Sequence, residues 1–382
     1  MKKILFLFLL LLCTQILFAE SRYSVISNSQ EISNYLIKDY NNGGVFEITK
    51  TGSLNVSFCS FENNQASVGG AILNKGILEI YNPIISEEYE DNITPYFSNN
   101  ISVAGGAIYN ERVMTTGVWI YFCNNSSSAA SVSAGGAIYS AGITNIGSLN
   151  LFEQNSSNLG GAVFVASGTT NISNIVAFTQ NSADFGGAIV ASSGTTNIAD
   201  FVFFTSNTAT NSGGAVFIDK NATVIVSSAN YYTYNKATAG VGGAIYNTGV
   251  MSIGAGTENA LTSFTENSAE SGGAICNNNF LGLADIGLFG GNKANFAGGA
   301  VCNIEDGVIL FDKMHDFVGN SSAFVGGAVF NSSGTVILGD GANFVNNKAD
   351  KFGGAVYNEG GGVLLVAKTK DILFEGNTAN GV

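Results

Sequence analysis

The residue types that could do chemistry in this 382-residue chain are few and scattered. Hydrolysis of a glycosidic bond needs two carboxylates at a set separation. The aspartates that could supply them fall at different positions of the sequence pattern: Asp184, Asp200, Asp219, Asp285, Asp306, Asp312 and Asp316. The single histidine, His315, lies beside Asp316 and could act as a base, but the segment DKMHDF predicts a surface loop. No common catalytic or phosphate-binding motif occurs. The sequence predicts a protein that is not an enzyme.

Cysteine usage points to neither a zinc site nor a dense disulfide framework. After loss of the leader described below, Cys59, Cys123, Cys276 and Cys302 remain, without a Cys-x-x-Cys pair. One histidine and these cysteines are too few for a zinc site, and we expect no metal and no cofactor. Cys276 and Cys302 occupy the same slot of consecutive repeats, which makes a disulfide possible. Two reduced thiols are favoured, because a bond between in-register parallel strands is geometrically awkward.

Charge and the N-terminal segment indicate export. Residues 1–19 combine Lys2 and Lys3 with a short apolar core and Ala19, which predicts a signal peptide. A transmembrane anchor is the weaker alternative, because Thr14 interrupts the apolar run. Without the leader the net charge is about −15, which excludes nucleic acid and disfavours an anionic lipid surface.

Two short motifs repeat in step along most of the chain. Gly-Gly-Ala followed by Ile or Val occurs eleven times at intervals of 25 to 36 residues, and an aromatic-x-x-Asn motif occurs twelve times. Hydrophobic residues make up 46% of the chain and charged residues 11%, so a folded body is expected. The motif residues are represented by Phe61, Asn64, Gly69, Gly70, Ala71, Phe178, Asn181, Gly186, Gly187, Ala188, Phe264, Asn267, Gly272, Gly273, Ala274, Phe344, Asn347, Gly353, Gly354 and Ala355.

Each repeat reads as three short strands, for example GGAIVA, TTNIAD and FVFFTSN. Stacking such units places each residue over its own copy in the next turn, in parallel strands ~4.8 Å apart. The pattern predicts an all-β fold, a right-handed parallel β-helix of 11 or 12 coils. Helical solenoids, leucine-rich repeats, calcium-binding nonapeptides and propellers lack their signatures here.

The repeats define the expected domains. Residues 20–50 predict an N-terminal cap, with a short helix from Asn28 or Ser29 to about Tyr40, and a loose linker is the alternative. Residues 51–382 predict the β-helix, which stops within a unit as though truncated and would expose an open coil end that self-associates. The segment with Pro83 and Pro95 predicts a loop thrown out from the coil, either a binding loop or a solvated insertion.

The alternating motifs on an exported chain resemble the repeat region of the polymorphic outer membrane proteins of chlamydiae. The resemblance covers about residues 58–382. It implies an autotransporter passenger, displayed at the outer-membrane surface of a Gram-negative bacterium, that acts as an adhesin and self-assembles. It also implies that the repeated motif residues take part in adhesion. The membrane barrel of that family has no counterpart in this sequence, which leaves the anchor in doubt.

The sequence therefore favours a secreted or surface-displayed adhesin that binds a host or neighbouring cell-surface protein or glycan. A structural surface-coat protein is the first alternative, and a polysaccharide-processing β-helix enzyme is the second.

Overall fold

The chain folds as an all-β parallel solenoid of about twelve turns. The computed structural model describes residues 15–17, 24–41, 43–82, 96–129, 132–254, 261–284, 286–366 and 371–381. Within these residues there is no helix, and the strands pair in parallel from one turn to the next. The predicted β-helix is thereby confirmed, and its right-handed sense stays a prediction.

The first sheet has fourteen strands, and we call it the Phe sheet after its central residue. Its strands are Gln15–Leu17, Tyr35–Lys38, Ser60–Glu62, Tyr96–Ser98, Tyr121–Cys123, Leu151–Glu153, Ala177–Thr179, Phe203–Thr205, Tyr231–Thr233, Leu261–Thr265, Ile286–Gly290, His315–Val318, Asn343–Val345 and Leu373–Glu375.

The second sheet, the wide sheet, has twenty-four strands and takes two segments of each turn. Its first column contains Ser24–Ile26, Phe46–Ile48, Ile72–Asn74, Ile108–Asn110, Ile138–Ser140, Val163–Val165, Ile245–Asn247, Ile275–Asn277, Val301–Asn303, Val329–Ser332 and Val356–Glu359. Its second column contains Ser29–Ser33, Ser53–Ser57, Ile77–Tyr81, Val113–Thr116, Ile143–Ile146, Thr169–Ile172, Val250–Ile253, Phe280–Leu283, Val308–Phe311, Thr335–Leu338 and Val363–Val366. Two long strands run through both columns, Ile189–Ile198 and Val216–Val226.

A third face, the short sheet, was not predicted from the sequence. It joins the Phe sheet to the wide sheet through strands of two to five residues. These strands are Ile101–Ser102, Ser126–Ser127, Ser182–Phe185, Thr208–Ser212, Lys236–Ala237, Ser268–Ser271, Lys293–Ala297, Ser321–Ser322, Lys348–Ala349 and Thr378–Ala379. Each turn thus passes from the Phe sheet to the short sheet, through Gly-Gly to the wide sheet, and on to the next turn.

The core is a set of like residues stacked along the solenoid axis. The central aromatics of the Phe sheet, from Phe61 to Phe374, lie with ring centroids 4.7–5.1 Å apart. All but the last are fully buried. Burial of each large apolar side chain contributes ~1.5–3 kcal/mol, and each ring pair adds ~0.5–1.5 kcal/mol. The stack therefore fixes the register of every turn.

The two glycines of each Gly-Gly-Ala motif have different tasks. The first has a left-handed backbone, with φ between 56° and 68° in all eleven copies, and forms the corner between two sheets. The second lies against the following turn, so that a Cβ on Gly161 would collide with the carbonyl oxygens of Gly187 and Ser182. The motif thus provides both a sharp turn and a close approach between turns, one function for each glycine.

The predicted N-terminal helix is wrong. The segment forms the strands Ser29–Ser33 and Tyr35–Lys38, which pair with Ser53–Ser57 and Ser60–Glu62. Asn34 takes a left-handed conformation between them and turns the corner. Pairing with the next turn satisfies the backbone along both strands and overrides local helix propensity, so these residues continue the solenoid.

Two further expectations fall largely outside the described residues. The predicted signal peptide lies outside them except for the strand Gln15–Leu17, which pairs with Tyr35–Ile37. The loop bounded by Pro83 and Pro95 lies entirely outside the described residues. The described residues include no helix that could span a bilayer.

Candidate functional site

The aspartates considered for catalysis lie on different elements. Asp184 is in the short sheet, and Asp219 is in the long strand Val216–Val226. Asp200 precedes the corner residue Phe201, and Asp306 and Asp312 flank the strand Val308–Phe311. Asp316 is in the Phe sheet, where Asn343 Nδ2 donates to its Oδ1 at 2.7 Å. Asp285 lies outside the described residues. Among those described, no group of three or more His, Cys, Asp or Glu side chains could hold a metal.

The expected surface position of His315 is wrong. Its side chain is fully buried at the start of the strand His315–Val318, between Phe289 and Phe311. Nδ1 donates to the Lys313 carbonyl at 2.6 Å, and Nε2 has no hydrogen-bond partner. Burial lowers the pKa of His315 to about 4. A neutral imidazole inside the core cannot reach a substrate, which removes it as a candidate base.

Cys276 and Cys302 are register partners on adjacent turns and are both buried. The structure has them as free thiols. The neighbouring thiol and burial together raise the pKa of Cys276 well above its ordinary value. With Ala297, Val325 and Phe330 they form a small apolar cluster apart from the main core. Their oxidation state in the exported protein stays a prediction.

The aromatic-x-x-Asn motif builds an internal ladder. From Asn64 to Asn377, each asparagine Nδ2 donates to Oδ1 of the next turn's asparagine at 2.9–3.1 Å. Asn155 Nδ2 also donates to the Phe122 carbonyl, and its backbone N–H donates to Asn181 Oδ1. These buried polar groups are thus satisfied by neighbouring turns.

The motif residues listed from the sequence therefore lie inside the solenoid. Phe178, Asn181 and Ala188 are fully buried, as are their equivalents in most turns. Their positions give them a structural role, and a direct part in adhesion stays a prediction.

A second asparagine ladder was not predicted from the sequence. Asn247 Nδ2 donates to Asn277 Oδ1 at 2.8 Å, and Asn277, Asn303 and Asn331 continue the series at 2.6–2.9 Å. The ladder closes the end of the first column of the wide sheet. The signal was present as an asparagine three residues after the motif alanine, as in GGAIYN and GGAICN.

The outer side of the Phe sheet carries an unusual file of apolar side chains. Residues alternate between the core and the outside along a strand, so the residue before each central aromatic points outward. Six consecutive turns place these partners in register: Tyr96, Tyr121, Leu151, Ala177, Phe203 and Tyr231. Phe203 and Tyr231 stack with centroids 5.1 Å apart, and Tyr96 meets Tyr121 edge to face.

A second apolar file lies two residues upstream, at the corner between the wide sheet and the Phe sheet. It contains Trp119, Leu149, Ile175 and Phe201 on four consecutive turns, all with φ near 60°. Trp119, Ile175 and Phe201 are 47%, 48% and 46% exposed. We call the two files together the aromatic face.

The corner residues are poorly suited to their backbone. A left-handed conformation costs an L residue about 1–2 kcal/mol, and β-branched or bulky side chains adopt it rarely. At two other turns the same corner holds Asn34 and Gly341, the types that this conformation favours. Fold stability therefore does not explain the exposed Trp119, Ile175 and Phe201 in this file, and strained residues of this kind cluster at functional sites.

The aromatic face is uncharged at its centre and acidic at its border. Burial, with a hydrogen bond to Cys123, raises the pKa of Tyr96 to about 12, so its hydroxyl stays neutral at physiological pH. Glu153 follows Leu151 by two residues on the same side of its strand, and Asp200 adjoins Phe201. Between residues 96 and 231 the sequence has Arg112 and Lys220 as its cations. The face thus has the chemistry of an interface core with a negative rim.

Comparisons with known proteins agree with this architecture. The sequence profile of the Chlamydia polymorphic membrane protein repeat matches at residues 58–75, 96–111, 201–219, 261–278 and 341–359. No curated protein and no solved structure shows a significant match. Each match includes residues of the two motifs that build the Phe stack, the asparagine ladder and the glycine corner. The chain therefore carries the Chlamydia polymorphic membrane protein repeat at five places along its solenoid.

Proposed function

We propose that the protein is an exported, surface-displayed adhesin, similar to an autotransporter passenger, that binds another cell through the aromatic face. The repeat family and the solenoid fit an exported surface protein that works without catalysis. The observation that carries the proposal is the corner file, where Trp119, Ile175 and Phe201 are exposed in a conformation that disfavours them.

The partner that fits this face is a protein surface with an apolar strip bordered by Lys or Arg. Tyr, Trp and Phe are enriched at the centres of protein interfaces and supply most hot-spot residues. The rim acids Glu153 and Asp200 complement a basic border. A second copy of this chain fits less well, because its net charge of −13 makes copies repel one another.

The test measures adhesion of beads coated with purified protein to host cells and to neighbouring bacterial cells. A double variant, Trp119→Asn with Phe201→Asn, removes the aromatic groups and places a residue type at each corner that its backbone favours. We expect its thermal midpoint to be unchanged or higher, while adhesion falls at least tenfold. Phe280→Ser is the matched control, because Phe280 is 39% exposed on the wide sheet.

Two outcomes would contradict the proposal. Adhesion of the double variant at the wild-type level removes the aromatic face as the binding surface. Binding to no cell, combined with ordered self-assembly in solution, favours the structural surface-coat protein. Protection of Trp119, the sole tryptophan, from a soluble fluorescence quencher on addition of cells gives a direct second readout.

A further inference from the structure

A further asparagine ladder lies on the outer side of the wide sheet, in its second column. Thr115, Asn145, Asn171 and Asn197 are register partners on four consecutive turns. The Nδ2 atoms of Asn197 and Asn171 each donate to Oδ1 of the preceding asparagine at 2.8 Å, and Asn145 Nδ2 donates to Thr115 Oγ1 at 3.3 Å. All four residues are partly exposed, whereas their neighbours along each strand are buried. The ladder therefore faces solvent.

This ladder differs from the two inside the solenoid in how far its amides are satisfied. In a buried ladder both Nδ2 hydrogens are used, as when Asn155 donates to Asn181 and to the Phe122 carbonyl. Among the described residues, the side chains of Asn145 and Asn171 each donate one hydrogen bond and accept one. A carboxamide offers two N–H groups and two lone pairs. Each of these two amides therefore keeps a donor and an acceptor for a ligand, in an orientation that the ladder already fixes.

A pair of threonines extends the ladder sideways. Thr169 and Thr195 precede Asn171 and Asn197 by two residues, so they lie on the same side of their strands, and they are register partners of one another. Both are partly exposed. We call these six residues the polar strip: Thr115, Asn145, Asn171, Asn197, Thr169 and Thr195.

The polar strip lies in the least charged part of the chain. From residue 113 to residue 218 the sequence has three charged residues, Glu153, Asp184 and Asp200. Glu153 lies in the Phe sheet, Asp184 in the short sheet, and Asp200 at the corner after the strand Ile189–Ile198. The strands that carry the strip have only neutral side chains. A phosphate or carboxylate ligand would find no cation there, so a neutral ligand fits best.

The spacing of the strip points to a polymer of sugars. Like groups recur every ~4.8 Å along the solenoid axis, which is close to the length of one sugar in an extended polysaccharide. Side chains on one face of an extended peptide recur every ~6.6 Å, which does not match this interval.

We propose that the polar strip binds an extended, neutral, β-linked polysaccharide that lies along the solenoid axis. Asparagine amides and threonine hydroxyls both donate and accept hydrogen bonds, as do the hydroxyls of sugars. Weak contacts on successive turns add up along such a chain. The strip contains none of the residues of the aromatic face, so this proposal does not rest on adhesion through that face.

The test is isothermal titration calorimetry of the purified protein with cellohexaose and with chitohexaose. We expect at least one hexamer to bind, at least tenfold more tightly than the corresponding disaccharide, because consecutive sugars contact consecutive turns. Asn171→Val interrupts the ladder at its middle with a residue that strands favour. This variant should keep the thermal midpoint of the wild type and bind the hexamer at least tenfold more weakly. Ser252→Val is the matched control, because Ser252 occupies the same strand position two turns beyond Asn197.

Four results would overturn the proposal. Binding of neither hexamer leaves the strip to water, and equal affinity for hexamer and disaccharide shows that the repeated spacing is not recognised. Equal affinity of the wild type and Asn171→Val places any glycan site elsewhere. Tighter binding of an anionic hexamer of galacturonic acid contradicts the neutral chemistry of the strip.

The two proposed surfaces can be told apart with the variants already named. Trp119→Asn with Phe201→Asn leaves every residue of the polar strip in place, so this double variant should bind the hexamer as the wild type does. Loss of hexamer binding in the double variant would assign the glycan to the aromatic face instead.

Discussion

Gly287 and His315 are register partners on adjacent turns, and the imidazole fills the space in which Gly287 has no side chain. A Cβ at Gly287 would collide with the ring. The pairing places a titratable group in the core, where its Nε2 is unsatisfied and its pKa falls to about 4 because of burial. Asp312 and Asp316 oppose this shift only in part.

This pairing predicts acid sensitivity. The folded-state pKa of His315 lies below its ordinary value of 6.5, so the unfolded chain binds the proton first. Stability then falls as the pH drops from about 6.5 toward 4, by up to about 3 kcal/mol. His315→Leu should remove this part of the pH dependence.

The measurement is the urea midpoint of both proteins at pH 7, 6, 5 and 4. Carboxylate titration is common to both and cancels in the difference. Parallel loss of stability in the two proteins across this range would show that His315 is not the source.

Tyr232 occupies a position that phenylalanine fills in the other turns of the stack. Its ring stacks on Phe204 and Phe264 at 4.8 and 4.7 Å, but its fully buried hydroxyl has no partner. Burial raises the pKa of Tyr232, so the hydroxyl is neutral. We expect Tyr232→Phe to stabilise the protein by about 1 kcal/mol.

The urea midpoint checks this prediction, and Phe264→Tyr is the reciprocal control. That change adds a hydroxyl at the adjacent position of the stack and should lower the midpoint. A lower midpoint for Tyr232→Phe would indicate that the hydroxyl has a bound partner, such as water.

The second glycine of each motif should tolerate substitution far less well than other glycines do. Gly161→Ala places a Cβ against the backbone of the next turn, and we expect a loss of several kcal/mol together with faster amide exchange in the adjoining turns. Gly282→Ala is the matched control, because the nearest atom to its Cβ is 3.5 Å away on the Phe280 ring.

For Gly282→Ala we expect a midpoint within about 1 kcal/mol of the wild type. Thermal unfolding and hydrogen exchange measure both variants. Similar thermal midpoints and exchange rates for Gly161→Ala and Gly282→Ala would argue that turns can separate at the motif without a loss of stability.

The sequence alone predicts the features that recur in every turn of the solenoid. The interval between motifs, Phe178 above Phe152, and Asn181 at a corner follow from one rule, that each residue meets its own copy. The same rule applied to GGAIYN and GGAICN predicts the second asparagine ladder.

Features that occur once resisted prediction because they depend on non-local partners. His315 is buried because Gly287, 28 residues earlier, leaves room for it. Ser29–Ser33 is a strand because Ser53–Ser57 lies beside it. The aromatic face becomes visible only when the outer side of each turn is known.

The cysteines should be unreactive in the folded protein. Cys59, Cys123, Cys276 and Cys302 are buried, and burial raises the pKa of Cys59 to about 11. Since the thiolate is the reactive form, we expect Ellman's reagent to leave these cysteines largely unmodified until urea unfolds the chain.

The intact mass after alkylation in urea without reductant then reports whether the adjacent pair is oxidised. Alkylation of both Cys276 and Cys302 is the expected result, whereas two unalkylated cysteines and a mass lower by two hydrogens would reveal a disulfide. A Cys302→Ser variant, which cannot form this bond, provides the reference.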